Sequence, residues 1–349
     1  MNIISPLVSL VSRHYSKLYP QSIFIGVAGD WGKEEVVTAC KCVLSGKYHV
    51  AVVNYGNFLK LHPRINKVIL EIDKFTNFII PTVLIINNIN LTNKELIRMV
   101  LELPEDSLLI LNYDDINVRT LSENTKAKII FYGRDKENCS VWVNNAQIEN
   151  FSTSFEINYG VERVKIESPL LGEYRIYPIL AAVCLGLDEG ISLTSIKNLL
   201  SKMEPLEHKL QPIQGFNNSV IIDDTLSADP LLIEQALDTL MKISARRHIL
   251  VLGELKDLGE ESEKVHRRLA QKIFKEKVDL VFLGIGESEI VYDELKRLGF
   301  LLERVETNLQ NPQIAARLLK VLTKGDICLI SGGLTSRFDE IVSRVGKKI

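Results

Sequence analysis

What the chain lacks narrows its class before any motif is read. Its 349 residues carry a formal net charge of -2, so no surplus of positive charge is available to hold nucleic acid or an anionic membrane surface. No apolar run is long enough to span a bilayer. The five cysteines, Cys40, Cys42, Cys139, Cys184 and Cys328, are scattered and odd in number, which argues against a disulfide framework and predicts reduced, intracellular thiols. No two histidines have the spacing of metal ligands. Residues 1–20 hold the one candidate targeting stretch, but Arg13, His14 and Lys17 interrupt its apolar run. An N-terminal helix is expected there, and a cytoplasmic protein overall.

What is present is an ordinary globular balance, 46% hydrophobic and 25% charged, with room for two α/β domains. Ser219–Thr225 is a β-branched run ending in Asp223 and Asp224, and it reads as a buried parallel strand. Asp229 and Pro230 suit the cap and first turn of a helix over 231–243, and His248–Gly253 is the next buried strand. Strand, helix and strand at this spacing form a βαβ unit. Further strands are expected at 279–284, 301–305 and 326–331, alternating with helices, so this half is Rossmann-like.

The first half opens with a buried strand over 22–29, a turn Asp30–Lys33 and a helix over 34–44. Strand, glycine turn, lysine and helix is the construction of a phosphate loop: backbone N–H groups and the helix end hold phosphate oxygens while the lysine reaches the outer phosphates. Gly29, Asp30, Trp31, Gly32, Lys33 and Glu34 are its candidate contacts. Buried strands follow at 48–53, 67–72 and 81–88, a run over 128–133 continues the sheet, and short alternating strands over 140–168 suggest an antiparallel extension.

Two long segments carry a family resemblance. Ile221–Pro230 (IIDDTLSADP) resembles I-D-D-[ST]-Y-N-A-N-P of the Mur ligases, and Val251–His266 (VLGELKDLGEESEKVH) resembles their V-x-G-D-M-x-E-L-G-x-x-S-x-x-x-H. The likeness is strongest to the branch that adds D-alanyl-D-alanine. It implies a P-loop-type central domain over 21–207, a Rossmann-like C-terminal domain over 208–349, and no counterpart of the family's N-terminal UDP-binding domain. It also implies ATP and Mg²⁺ as cofactors. Lys33 and Glu71 become the catalytic candidates, Glu71 also the metal ligand. Asn87, Asn88, Lys209 and Asp224 join the loop in holding the nucleotide.

The chain departs from the family pattern at several of these points. The loop reads G-D-W-G-K-E-E where the family has G-x-x-G-K-[ST]-[ST], so Asp30, Glu34 and Glu35 place three carboxylates where a polyphosphate belongs. Ile89–Asn93 lacks the family's histidine, and the segment after Asn54–Phe58 is cut short. Tyr174 and Arg175 replace its H-N pair, and Lys209 replaces a hinge arginine, keeping charge without the planar fork. Leu226–Ser227 and Gly333–Leu334 break two further motifs. His266 is expected to be structural, facing Glu254 or Asp257, and His208 is read as an exposed hinge residue.

Two functional readings follow. One is an ATP-dependent ligase that adds an amino acid or dipeptide to a carboxylate through an acyl phosphate, with small-molecule carboxylate and amine substrates. The other is a non-catalytic relative that holds ATP and Mg²⁺ weakly or not at all and serves a protein partner. The number of departures around one site favours the second.

Overall fold

The computed structural model describes residues 22–53, 64–72, 79–90, 92–255 and 258–346. The expected helix over 1–20, the segment Asn54–Phe58 and Asp257 lie outside them. The described residues form two compact units. The first takes those up to Gln147, Ser154–Ser168 and Tyr174–Met203; the second takes Ile148–Thr153, Pro169–Glu173 and those from Glu204 onward.

In the first unit, β1 (Ile23–Ala28) leads into α1 (Lys33–Leu44), followed by β2 (Val50–Val53), β3 (Lys67–Glu71), β4 (Val83–Ile86), α2 (Lys94–Leu101), β5 (Leu108–Asn112), α3 (Ile116–Thr120) and β6 (Lys128–Gly133). Then come β7 (Val141–Glu149), β8 (Ser152–Tyr159), β9 (Glu162–Ser168), α4 (Ile176–Asp188) and α5 (Leu193–Leu200). One sheet joins the strands in the order β2-β3-β1-β4-β5-β6-β7-β8-β9. The pairs from β2 to β7 run parallel. β4 and β5 are buried at every residue and β1 at all but its first, which is why they read as unbroken apolar runs. β7 alternates between inward and outward residues, as a strand with one wetted face must. Two-residue turns join β7 to β8 and β8 to β9, a connection only antiparallel neighbours allow. Leu96, Met99 and Val100 of α2 pack on Leu84, Ile86, Leu109 and Leu111 to form the core on one face of this sheet.

The second unit contains β10 (Gln211–Gln214), β11 (Val220–Asp224), α6 (Pro230–Lys242), β12 (Arg247–Leu252), α7 (Ser262–Glu276), β13 (Leu280–Gly284), α8 (Glu289–Arg297), β14 (Val305–Leu309), α9 (Asn311–Val321), β15 (Asp326–Ser331), α10 (Gly333–Ser336) and α11 (Asp339–Val345). Its sheet runs β10-β11-β15-β12-β13-β14, parallel except for β10. Asp229 caps α6, its Oδ1 accepting from Leu231 N at 2.8 Å, and Pro230 occupies the first turn.

Two elements differ from the sequence expectation. β10 is an added edge strand whose Pro212 disguises it, since proline is tolerated only at such an edge. The strand expected over 301–305 lies instead at Val305–Leu309, because Leu301 and Leu302 are exposed and Leu302–Arg304 form a single 3₁₀ turn.

All five cysteines are free. Burial pushes the thiols of Cys40, Cys184 and Cys328 well above their ordinary range, so they act as small apolar fillers.

Among the described residues, no helix is long and apolar enough to cross a membrane.

The turns after β12 and β15 approach so closely that a Cβ on Gly332 would lie 2.8 Å from Gly253 Cα and 2.9 Å from Gly253 N. Backbone cannot yield as a side chain can. Gly332→Ala is therefore expected to destabilise the protein by about 1–3 kcal/mol, read as a lowered urea midpoint.

Candidate functional site

The turn between β1 and α1 is built around Gly32, which caps α1 with φ 74° and ψ 8°, a left-handed conformation that glycine adopts without strain. Lys33 is the first residue of α1, and its Nζ donates to the Gly29 carbonyl oxygen at 2.6 Å. Asn88 follows β4, the neighbour of β1, and its side chain fills the turn. Its Oδ1 accepts from Asp30 N at 2.8 Å and Trp31 N at 3.1 Å, and its Nδ2 donates to Trp31 O at 2.8 Å. The backbone donors that a phosphate loop would present are thus held by an internal amide. Asn90 N donates to the Asp30 carboxylate, closing the turn from the other side.

Asn87 lies beneath and is buried. Its Oδ1 accepts from Tyr132 Oη at 2.9 Å and its carbonyl from Asn112 Nδ2 at 2.9 Å, while its Nδ2 has no hydrogen-bond partner. Burial keeps the Tyr132 phenol protonated, so it remains a donor.

The three carboxylates expected together at the loop are separated. Asp30 bonds to Asn90, Glu34 faces solvent, and Glu35 turns inward at 5% exposure. Arg175, at the start of α4, is only 3% exposed, and its Nη1 stands 3.6 Å from Glu35 Oε1. Its Nε donates to Tyr174 Oη at 3.2 Å, and the Tyr174 ring meets Trp31 edge-on with centroids 6.2 Å apart. Two departures far apart in sequence, at 35 and 175, are therefore one contact. Glu71 ends β3 level with Val27 of β1, half-buried at the same sheet end as the loop. Among the described residues no group of three or more His, Cys, Asp or Glu side chains could hold a metal ion.

In the second unit, successive strand residues point to opposite faces, so Asp223 and Asp224 serve different partners. Asp224 is fully buried; its Oδ1 accepts from Ser227 Oγ at 2.7 Å and Leu210 N at 3.1 Å, and its Oδ2 from Ser331 Oγ at 3.0 Å. Asp223 accepts from Thr225 Oγ1 at 2.7 Å, and its Oδ2 lies 2.8 Å from His208 Nδ1. His208 is thus more than an exposed hinge residue. It sits at φ 59°, a conformation uncommon outside glycine, with its ring tied to a buried carboxylate. Lys209 follows in the same turn, half-buried.

His266 also differs from expectation. It is fully buried, with Nδ1 2.8 Å from Ser262 O and 3.2 Å from Ser262 Oγ, and Nε2 has no hydrogen-bond partner. The four-residue helical step places it over Ser262 rather than against Glu254. Ser262 Oγ in turn donates to the Glu287 carboxylate, and Glu254 Oε1 accepts from Glu287 N at 3.3 Å. A crevice of about 350 Å³ opens at the carboxyl ends of β12, β13 and β14, lined by Gly253, Glu254, Gly284, Gln310, Asn311 and Arg337 among others. Open α/β sheets place ligands in this position.

Comparison with known proteins accords with this architecture. Residues 86–186 match the Mur ligase middle domain and residues 208–334 the Mur ligase glutamate ligase domain. The UDP-N-acetylmuramoyl-tripeptide–D-alanyl-D-alanine ligase of Haemophilus influenzae is 33% identical over 156 residues, covering 42% of this chain and 34% of its own length. The Escherichia coli enzyme of the same name is 24% identical over 243 residues, covering 69% of this chain and 52% of its own. The chain thus spans between a third and about half of these relatives. Among solved structures, MurF from Acinetobacter baumannii superposes with a TM-score of 0.85 at 16% identity over 97% of this chain and 80% of that one. MurF from Thermotoga maritima in complex with ADP gives 0.81 at 16% identity over 99% and 84%. With both domain types matched in order and the fold shared, the chain belongs to the Mur ligase family.

Proposed function

We propose that this chain is a Mur-ligase-type protein, related to ATP-dependent ligases of peptidoglycan-precursor synthesis, whose nucleotide loop has lost its ATP chemistry. Its role is then that of a cytoplasmic, non-catalytic relative that binds a protein partner. The observation that carries this reading is the Asn88 side chain lodged in the turn. The amides of Asp30 and Trp31 cannot cradle a phosphate while they donate to Asn88 Oδ1. Lys33 Nζ is likewise turned back onto Gly29 O. A triphosphate would also meet the carboxylate of Glu35, buried in the first turn of α1. ATP with Mg²⁺ therefore fits these residues poorly. Asp224, expected at the nucleotide, is fully engaged in tying β11 to Leu210, Ser227 and Ser331. The domain boundary this reading uses falls near residues 207 and 208.

A second reading is the active ligase, joining an amine to a carboxylate through an acyl phosphate. Lys33 at the head of α1 and Glu71 at the end of β3 favour it, since both stand at the sheet end where the family's chemistry belongs. Relatives are named for joining UDP-N-acetylmuramoyl tripeptide and D-alanyl-D-alanine, which makes these the first acceptors to offer.

Calorimetry of the full chain with Mg·ATP, beside an ADP-release assay with carboxylate and amine acceptors, separates the two. The expected result is no acceptor-dependent ADP release and an affinity that Lys33→Ala leaves unchanged. Acceptor-dependent turnover would end the non-catalytic reading.

Asn88 supplies an independent check. Asn88→Ala removes three hydrogen bonds from the turn and is expected to cost about 1–3 kcal/mol. Faster amide exchange should then appear at Asp30 and Trp31, and unchanged exchange there would remove Asn88 from its assigned role.

A further inference from the structure

We propose that Glu35 is an internal anion occupying the anion seat at the N-terminus of α1, and that it decides which ligands the loop admits. This rests on the loop reading above, in which Asn88 holds the amides of Asp30 and Trp31, and adds the residue that sets the charge at the helix end. α1 is a twelve-residue helix whose first N–H groups and dipole draw negative charge. Glu35 is its third residue, and its cap, Gly32, has no side chain to offer those donors. Glu35 Oε2 is buried within 4.0 Å of the point where a Gly32 Cβ would stand and accepts no hydrogen bond there, so its influence on the helix end is that of its charge. Asn87 Nδ2 lies 3.6 Å from that same point, buried and without a hydrogen-bond partner. Arg175 Nη1 approaches the other carboxylate oxygen at 3.6 Å, itself almost wholly buried.

A buried carboxylate is tolerated only where charge and donors compensate it. Here the charge of Arg175 and the dipole of the helix end provide compensation through the field, with no donor on Oε2. A phosphate entering the turn would compete with Glu35 for the same field while being repelled by it. Replacing Glu35 with a neutral residue reverses the balance: Arg175, Lys33 and the helix end then make a seat with net positive charge. The three carboxylates that the sequence places at the loop therefore differ in effect. Exposed Glu34 is screened by water, and Glu35 alone holds the seat.

The test is calorimetric binding of Mg·ATP and of pyrophosphate to the full chain in native form and as Glu35→Gln, Arg175→Met and Glu34→Gln variants. Glu35→Gln is expected to tighten both ligands at least tenfold. Glu34→Gln should change them less than twofold, and Arg175→Met, which leaves the anion in place, should lower the melting temperature by several degrees with no gain in affinity. A folded Glu35→Gln protein that binds no better than native, or an equal gain in Arg175→Met, overturns the proposal. If Glu35→Gln does not fold alone, the double variant Glu35→Gln/Arg175→Met removes both charges and should bind pyrophosphate more tightly than Arg175→Met; equal binding overturns it. Acceptor-dependent turnover by the native chain would end the non-catalytic reading while leaving this assignment standing. Absence of the gain would do the reverse.

Discussion

Two backbone amides, those of Asp30 and Trp31, must donate to some acceptor, because a partly buried N–H left without one costs more than most single contacts return. A phosphate loop meets this requirement with its ligand. In this chain Asn88 meets it from within. The arrangement depends on the sheet order, since β4 lies directly beside β1 and its end delivers Asn88 to the turn. Once the amides are engaged, the turn keeps its loop geometry with no external anion to hold it. Lys33 and Asp30 can then bond locally to Gly29 and Asn90.

The second unit applies the same economy to its own motif. Asp223 and Asp224 end a fully packed strand, where ionised carboxylates are costly unless every oxygen is matched. The alternation of the strand divides them between two sets of donors: Ser227, Ser331 and the Leu210 amide on one face, Thr225 and His208 on the other. The turn before β10 is thereby anchored twice, through Leu210 to Asp224 and through His208 to Asp223. That double anchoring accounts for a histidine held at a positive φ.

Much of the fold was legible in the chain because its signals are local. The apolar runs of β4, β5 and β15, the glycine and lysine that start α1, and Asp229-Pro230 at the start of α6 each declare an element within a few residues. Where burial does not follow local hydrophobicity, the reading slipped: Leu301 and Leu302 are apolar yet exposed, and Pro212 hides an edge strand. Of the site, Gly32 and Lys33 were legible as the frame of a loop, but what fills the loop was not. The pairing of Glu35 with Arg175 requires α1 and α4 to be packed together, and no spacing in one sequence announces that. His208 with Asp223 is similar, although the D-x-T pattern after β11 hinted at a carboxylate already engaged by Thr225.

β15 lies between β11 and β12, so these two strands, which α6 joins in sequence, are not hydrogen-bonded to each other. On a ribosome that order has a kinetic consequence. β11, α6 and β12 emerge long before the strand that must sit between β11 and β12, and those two strands meanwhile each present an unpaired edge toward it. The sheet of the first unit has a far shorter delay: β3, which sits between β1 and β2, begins at Lys67, soon after β2 ends at Val53, and β4 then adds to the other side of β1. Vectorial synthesis thus lets the first unit assemble as it appears, whereas the second waits for its last strand.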